Sequence, residues 1–293
     1  MRVFVTGGTG LIGSAVVAEL LGNGHTVSSL ARSDASARAA EAAGAEPLRG
    51  ALADLDVLRA GAARADGVIH LAFAHDFSGP AALAKAVAEE SAALAALGAE
   101  LVGSDRPFVT VSGTPAVPGR ASTEADPVST DGPVGGRGRA VTAALGLASR
   151  GVRSTAVRMP RTVHHRGTGG FAGLLTDIAR RTGVSGHPGD GAQRWPAVHA
   201  LDAAVLLRLA LESAPAGSSW HAVADEGVRV RDIAEVIGRR LGLPVESVPS
   251  ETYGPLGPIF ANDQPSSSAH TRQALGWEPK HPGLLEDLEN IRP

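Results

Sequence analysis

Short apolar runs alternate along this chain with longer stretches in which apolar positions recur every third or fourth residue, the pattern of buried strands joined by amphipathic helices. Arg2 to Thr6 is the first such run and Leu11 to Leu21 the first helical stretch. His25 to Ala31 reads as a second strand, bounded by Gly24 and by Arg32-Ser33-Asp34. Next come a helix over Ala35 to Ala43, a short strand over Ala45 to Leu48, a helix over Asp54 to Ala63 capped by Asp54 or Asp56, and a buried strand over Gly67 to Ala72. A long Ala-rich helix lies within Pro80 to Leu97, before a strand over Phe108 to Ser112. Gly113 to Gly138 reads mostly as loop, Arg139 to Arg150 as helix and Val152 to Met159 as the sixth strand. Such alternation predicts an α/β fold with a doubly wound parallel sheet, because parallel neighbours need a crossover and helices then cover both faces.

Beyond Pro160 the punctuation changes. His164 to Gly170 is polar and glycine-rich, Phe171 to Arg181 is helical, and Val184 to Pro196 is laden with turn residues. Asp202 to Glu212 reads as an apolar helix, Ser219 to Val223 as a strand returning to the main sheet, and Val230 to Leu241 as an amphipathic helix. With 293 residues the chain can bury a full core, and two lobes are expected rather than one. Residues 1–163 and 199–224 make the first domain; 164–198 and 225–293 make a smaller C-terminal substrate lobe.

The first strand runs into Gly7-Gly8-Thr9-Gly10-Leu11-Ile12-Gly13 and then the first helix. Gly7 allows the sharp turn, Gly10 removes the Cβ that would block a pyrophosphate, and Gly13 lets the helix lie close on the strand. The diphosphate then sits on free amides and the positive dipole end of the helix, with Thr9, Leu11 and Ile12 around it. This is the phosphate-binding turn of a Rossmann dinucleotide fold.

Composition narrows the partners. A net charge of −3 and a pI near 6.4 give no electrostatic reason to expect nucleic acid or an anionic membrane. Without cysteine there is no disulfide, thiolate chemistry or cysteine-ligated zinc, and a reducing cytoplasm is the expected setting. No window approaches the ~18 uninterrupted apolar residues of a membrane helix, so a soluble protein is expected. The single tyrosine is Tyr253.

Together with His70-Leu71-Ala72, Val157-Arg158-Met159-Pro160, Val198-His199-Ala200-Leu201-Asp202 and Leu275-Gly276-Trp277-Glu278-Pro279, the glycine block resembles the short-chain dehydrogenase/reductase superfamily, in its extended branch of epimerase- and dehydratase-like enzymes. The resemblance spans almost the whole chain. It implies a nicotinamide cofactor, with Leu52, Leu71, Ala72, Phe73, Pro160 and Val163 in its wall, and a homodimer formed through the long helices beside the fourth and fifth strands. The family's usual catalytic set is a Ser ending the fifth strand, then a Tyr and a Lys four residues apart on the next helix. The phenol protonates the carbonyl oxygen, and the Lys assists it and holds the ribose. Ser112 stands where the Ser should, but an ungapped reading puts Gly135 at the Tyr position and Arg139 at the Lys position. Tyr253 reads as a structural aromatic. The chain thus resembles an atypical subgroup lacking Tyr and Lys. Arg139 can still bind ribose hydroxyls, but a guanidinium keeps its proton near neutrality and cannot shuttle it.

An acidic residue at the tip of the second strand would mark NAD(H). Here Arg32 can pair with a 2′-phosphate and Ser33 can donate to it, so NADP(H) is favoured, with NAD(H) as the alternative. Asp34 is read as the cap of the following helix, against a role as ribose acceptor. Where the related enzymes carry Gly-Asp-Leu this chain has Gly50-Ala51-Leu52, and an adenine-side carboxylate is lost.

His75 and Asp76 leave the fourth strand at its carboxyl end and are the candidate proton donor and its partner; the bland alternative is a solvated loop tip. Ser112 is the best single catalytic candidate, positioning a carbonyl oxygen, with Gly113 and Thr114 supplying further contacts. His164 and His165 follow the sixth strand and are candidates to touch substrate; successive residues do not make a metal signature. His70 reads as a packed strand residue. Arg194 and Trp195 are candidates to grip an anionic or flat apolar substrate, against an aromatic that anchors the hinge. No Gly-x-Ser-x-Gly elbow supports acyl chemistry. The leading expectation is an NADP(H)-dependent reductase of a ketone or related carbonyl. The alternatives are a non-catalytic NADP(H) sensor or scaffold, and a sugar-nucleotide epimerase or dehydratase, which would need the tyrosine.

Overall fold

The first apolar run forms β1 (Arg2–Thr6), and strict alternation follows: α1 (Leu11–Gly22), β2 (Thr26–Ala31), α2 (Asp34–Ala42), β3 (Glu46–Arg49), α3 (Leu55–Arg64), β4 (Gly67–His70), α4 (Pro80–Ala99), β5 (Pro107–Gly113), α5 (Gly135–Gly146) and β6 (Arg153–Met159). Next come β7 (Thr162–His164), α6 (Gly170–Thr182), β8 (Ser185–Pro188), β9 (Arg194–His199), α7 (Ala200–Ser213), β10 (Ser218–His221), β11 (Asp225–Arg229), α8 (Val230–Leu241) and β12 (Val245–Val248). The computed structural model describes residues 1–74, 79–132 and 135–292.

Two compact units share the chain: Met1–Ser112, Pro127–Arg158 and Ala203–Trp220 in the first, and Gly113–Asp126, Met159–Asp202 and His221–Pro293 in the second. The second unit therefore also takes in Gly113–Asp126, which the sequence placed in the first domain. In the first unit a seven-stranded sheet runs β10-β6-β5-β4-β1-β2-β3, and the strands from β3 to β5 are all parallel. β10 returns to that sheet as expected. The strand order reverses between β1 and β4, where an open α/β sheet leaves a crevice at its carboxyl edge. Phe4, Val68 and Phe108 on one face of the sheet pack with Leu58, Leu97, Leu101 and Val141 from the helices, all buried.

The second unit has a three-stranded sheet, β11-β9-β7, and a two-stranded one, β12-β8. β8 and β9 arise inside the stretch that reads as turns, each a short run entered or left through glycine or proline. Their apolar sides build a core of Trp195, Ala197, Leu175, Ile233, Ile237, Tyr253 and Phe260. Among the described residues no helix is long and apolar enough to cross a membrane.

Candidate functional site

Gly7 turns the chain at φ 75°, and a Cβ there would lie 2.9 Å from the Ala72 amide nitrogen. At Gly13 an added Cβ would stand 2.0 Å from the Gly7 carbonyl oxygen. The protein's own packing therefore requires both glycines. Gly10 differs. Its φ of −78° suits any residue, and a Cβ would meet only the Gly7 carbonyl at 3.5 Å, an ordinary contact. The fold does not need glycine at 10; its bare Cα leaves open a cradle at the start of α1. That helix has no side-chain cap and no carboxylate in its first turn, so its amides and dipole remain available to an anion. Thr9, Gly10 and Leu11 are exposed around the cradle, with Ile12 half-buried. These residues fit the diphosphate of a dinucleotide.

At the tip of β2 the helix cap is Ser33, not Asp34. The Ser33 hydroxyl accepts from the Ser36 amide, and the Ser36 hydroxyl accepts in return from the Ser33 amide. Ser33 is thereby committed to α2, and Asp34 pairs with Arg49. Arg32 is exposed, with no ion-pair or hydrogen-bond partner among the described residues. Leu52 is half-buried and packs on the core of the first unit.

The end of β4 is tied to β1. The Thr6 hydroxyl accepts from the amides of Leu71 and Ala72 at 3.3 Å each, so its own proton goes to His70 Nδ1 at 2.9 Å. His70 therefore carries its proton on Nε2, which is buried without a partner. Burial, with the positive charge of Arg137 second, lowers its pKa to about 3. The packed-residue reading of His70 holds. Phe73 follows, half-buried, under the Arg137 guanidinium 4.0 Å from its ring centroid. His75 and Asp76 lie outside the described residues.

Ser112, one residue before the end of β5, has its Oγ buried and unpartnered, a hydroxyl with hydrogen-bonding capacity to spare. At Gly135 an added Cβ would stand 2.3 Å from the Thr130 carbonyl oxygen, and at Gly138 2.0 Å from that of Ser129. The Ser129–Thr130 backbone thus lies where a tyrosine at 135 would leave its Cα. The same crossing explains why α5 starts at Gly135, within a stretch whose glycines read as loop: they are the helix's smooth face. Arg139 is exposed and donates to the Thr130 carbonyl, so the side chain aligned with the family's Lys is engaged in holding this loop.

Several expected substrate contacts in the second unit are engaged by the protein itself. Trp195 is fully buried in the core, edge-on to Phe171, which leaves it no surface to offer a ligand. Arg194 is exposed but held in a two-point pair with Asp263. His164 is fully buried, its Nδ1 3.0 Å from Asp287 Oδ2. Thr114 is buried and takes hydrogen bonds from the Gln264 carboxamide, whereas Gly113 is exposed with open space where a side chain would sit. Pro160 and Val163 are buried, Val163 in β7. Tyr253 is buried against Phe260, and burial raises its phenol to about 12.

A histidine cluster that the sequence does not reveal lies in the second unit. His199 Nε2 is 3.0 Å from His165 Nδ1, and the His199 ring stacks on that of His281. Burial first, then the neighbouring His164 and His281, lower the His199 pKa to about 4. His199, Asp202 and His281 bring one ligand-type atom each within 4.8 Å of one another. The two rings are nearly parallel, at 11°, so their in-plane lone pairs do not converge on one point. Asp202 meanwhile accepts from the Lys280 and His281 amides and from His281 Nδ1. This arrangement ties the 280–281 segment to the start of α7 rather than forming a metal cage.

Comparison with known proteins agrees with this geometry. The family model described as "NAD dependent epimerase/dehydratase family" matches residues 3–223. An uncharacterized protein of Schizosaccharomyces pombe, C2A9.02, is 44% identical over 294 residues, covering 98% of both chains. Another of Saccharomyces cerevisiae, YLL056C, is 41% identical over 297 residues with the same coverage. DesIV, the dTDP-glucose 4,6-dehydratase of Streptomyces venezuelae, solved with NAD bound, superposes with a TM-score of 0.78 at 20% identity, over 99% of this chain and 96% of that one, a likeness of fold. Glycine loop, sheet order and family match together show that the chain belongs to the NAD dependent epimerase/dehydratase family, within the extended short-chain dehydrogenase/reductases.

Proposed function

We propose that this protein is an NADP(H)-dependent oxidoreductase that reduces a ketone or related carbonyl compound. The observation that carries the reading is the pair of features at the two ends of α1 and β2. Gly10 is a glycine that the fold does not require, and Arg32 is an exposed guanidinium with no partner among the described residues. The first fits a diphosphate and the second a 2′-phosphate. Pairing of Asp34 with Arg49 supports the same preference, since the carboxylate that would accept from a ribose 2′-hydroxyl is engaged elsewhere. A bound nicotinamide supplies hydride to the carbonyl carbon. Ser112 donates from its unpartnered hydroxyl to the carbonyl oxygen and fixes its position. The proton comes from a group other than tyrosine, because Tyr253 is locked in the second unit's core.

NADPH and NADH oxidation across a panel of bulky and small ketones and aldehydes tests this, with Ser112→Ala beside the unaltered protein. Substrate-dependent NADPH consumption that Ser112→Ala lowers by about 10²-fold or more is expected, the scale of losing a positioned donor to a developing oxyanion. Unchanged turnover in Ser112→Ala would refute the role. The Thr130 carbonyl beside Gly135 favours one second reading, a dinucleotide-binding sensor without turnover. Binding of NADPH with no consumption across the panel would favour it. An epimerase or dehydratase activity, the family's namesake, requires an acid–base group in place of the missing tyrosine.

A further inference from the structure

We propose that Arg137, locked in place by the buried carboxylate of Glu90, holds the nicotinamide-side ribose of the cofactor in place of Arg139. The inference rests on the dinucleotide reading above and concerns the first unit alone. Glu90, on α4, is 1% exposed and accepts two hydrogen bonds of 2.7 Å, from Nε and Nη2 of Arg137. Such a fork fixes the plane and position of the guanidinium. Phe73 adds a second constraint, its ring centroid lying 4.0 Å from the guanidinium carbon. Nη1 keeps its hydrogens free of any partner among the described residues, and the side chain is 26% exposed. One end of this cation is anchored and the other is offered to a ligand. A buried ion pair contributes little net stability compared with apolar residues of the same volume, so stability alone does not account for Glu90.

Placement identifies the ligand group. The sheet order β5-β4-β1-β2 puts Arg32 on one side of the glycine loop and Phe73 on the other. A dinucleotide with its adenosine toward β2 and its diphosphate at α1 carries its second nucleoside to the carboxyl end of β4. Phe73 continues the chain there, and the charge of Arg137 is felt there, at His70. Vicinal ribose hydroxyls are acceptors suited to the free Nη1 hydrogens. Arg139 instead holds the Thr130 carbonyl.

The test is calorimetric titration with NADPH and with 2′-phospho-ADP, which keeps the adenosine half and the diphosphate but lacks the second ribose. In the double variant Glu90→Gln/Arg137→Met the donors are gone, an apolar stem still covers Phe73, and no carboxylate is left buried without its counter-charge. NADPH affinity is expected to fall about tenfold or more, with 2′-phospho-ADP unchanged, the scale of losing hydrogen bonds from a charged donor. Equal losses for both ligands, or none for NADPH, would overturn the clamp. Should the double variant melt before titration, Glu90→Gln alone keeps the arginine but loosens it, and a smaller loss confined to NADPH is expected; no selective loss overturns the proposal. An unaltered protein that binds 2′-phospho-ADP and gains nothing for NADPH would sink the clamp but leave the nucleotide site standing. One that binds neither would sink the site itself.

Discussion

His70 in the first unit and His199 in the second are 1% and 4% exposed, and both resist protonation, which ties the stability of the fold to mild acid. Folded, His70 takes a proton only near pH 3 and His199 near pH 4, against an ordinary value of 6.5. Below that ordinary value the unfolded chain gains protons that the folded chain refuses, so stability falls with pH until each folded pKa is reached. pH 5 lies about one and a half units below the unfolded imidazole's value, a loss of about 2 kcal/mol for the fully buried His70 at roughly 1.4 kcal/mol per unit. Domains of this kind hold about 5–15 kcal/mol in total, so the effect is large. Carboxylates held below their ordinary range, Asp66 and Asp287 among them, contribute only as pH nears 3.8 and leave the window from 7 to 5 clear. The assay is urea unfolding at pH 7.5 and 5.0 of the unaltered protein and of His70→Asn, whose carboxamide oxygen can still accept from the Thr6 hydroxyl. The variant is expected to start less stable but to lose about 2 kcal/mol less on acidification, because its titrating group is gone while every other group cancels in the comparison. An identical loss in both proteins would refute the reasoning.

Gly10→Ala is expected to leave the melting temperature within a few degrees, since its Cβ meets only an ordinary contact, yet to weaken NADPH binding about 100-fold by filling the cradle. Gly13→Ala should both destabilise, by about 1–3 kcal/mol or more, and abolish binding, because its Cβ collides with the Gly7 carbonyl; calorimetry and thermal melts separate the two cases. Tyr253→Phe should keep full turnover with stability unchanged or higher, because the buried phenol oxygen has no partner to lose.

Most of the first unit was legible because its strands are continuous apolar runs and its glycine loop has both a packing and a ligand reason. Strands β1 to β6 fall within about two residues of the apolar runs that predict them, and the unit's core residues lie where the periodicity puts them. The second unit was harder to read. β8 and β9 hide between turn residues, and Trp195 carries the same letter whether it anchors a core or grips a ligand; only its complete burial decides. The sequence pattern starts α5 only at Arg139 because Gly135 and Gly138 look like loop until the Ser129–Thr130 backbone crosses them. The Glu90–Arg137 pair did leave a signal. Glu90 falls on the buried stripe of α4, four residues from both Ala86 and Leu94, and a charge on an apolar stripe demands a partner. Nothing in the sequence could have joined His165, His199 and His281, which meet only through β7, β9 and a distant loop.

Direct titration of the protein with NADPH and NADH, repeated on Arg32→Ala, bears most closely on the claim that this is an NADP(H) enzyme. The account predicts that NADPH binds at least about tenfold tighter than NADH, the scale of one guanidinium–phosphate contact, and that Arg32→Ala erases the difference without weakening NADH. Equal or tighter binding of NADH by the unaltered protein, or no binding of either, would contradict it.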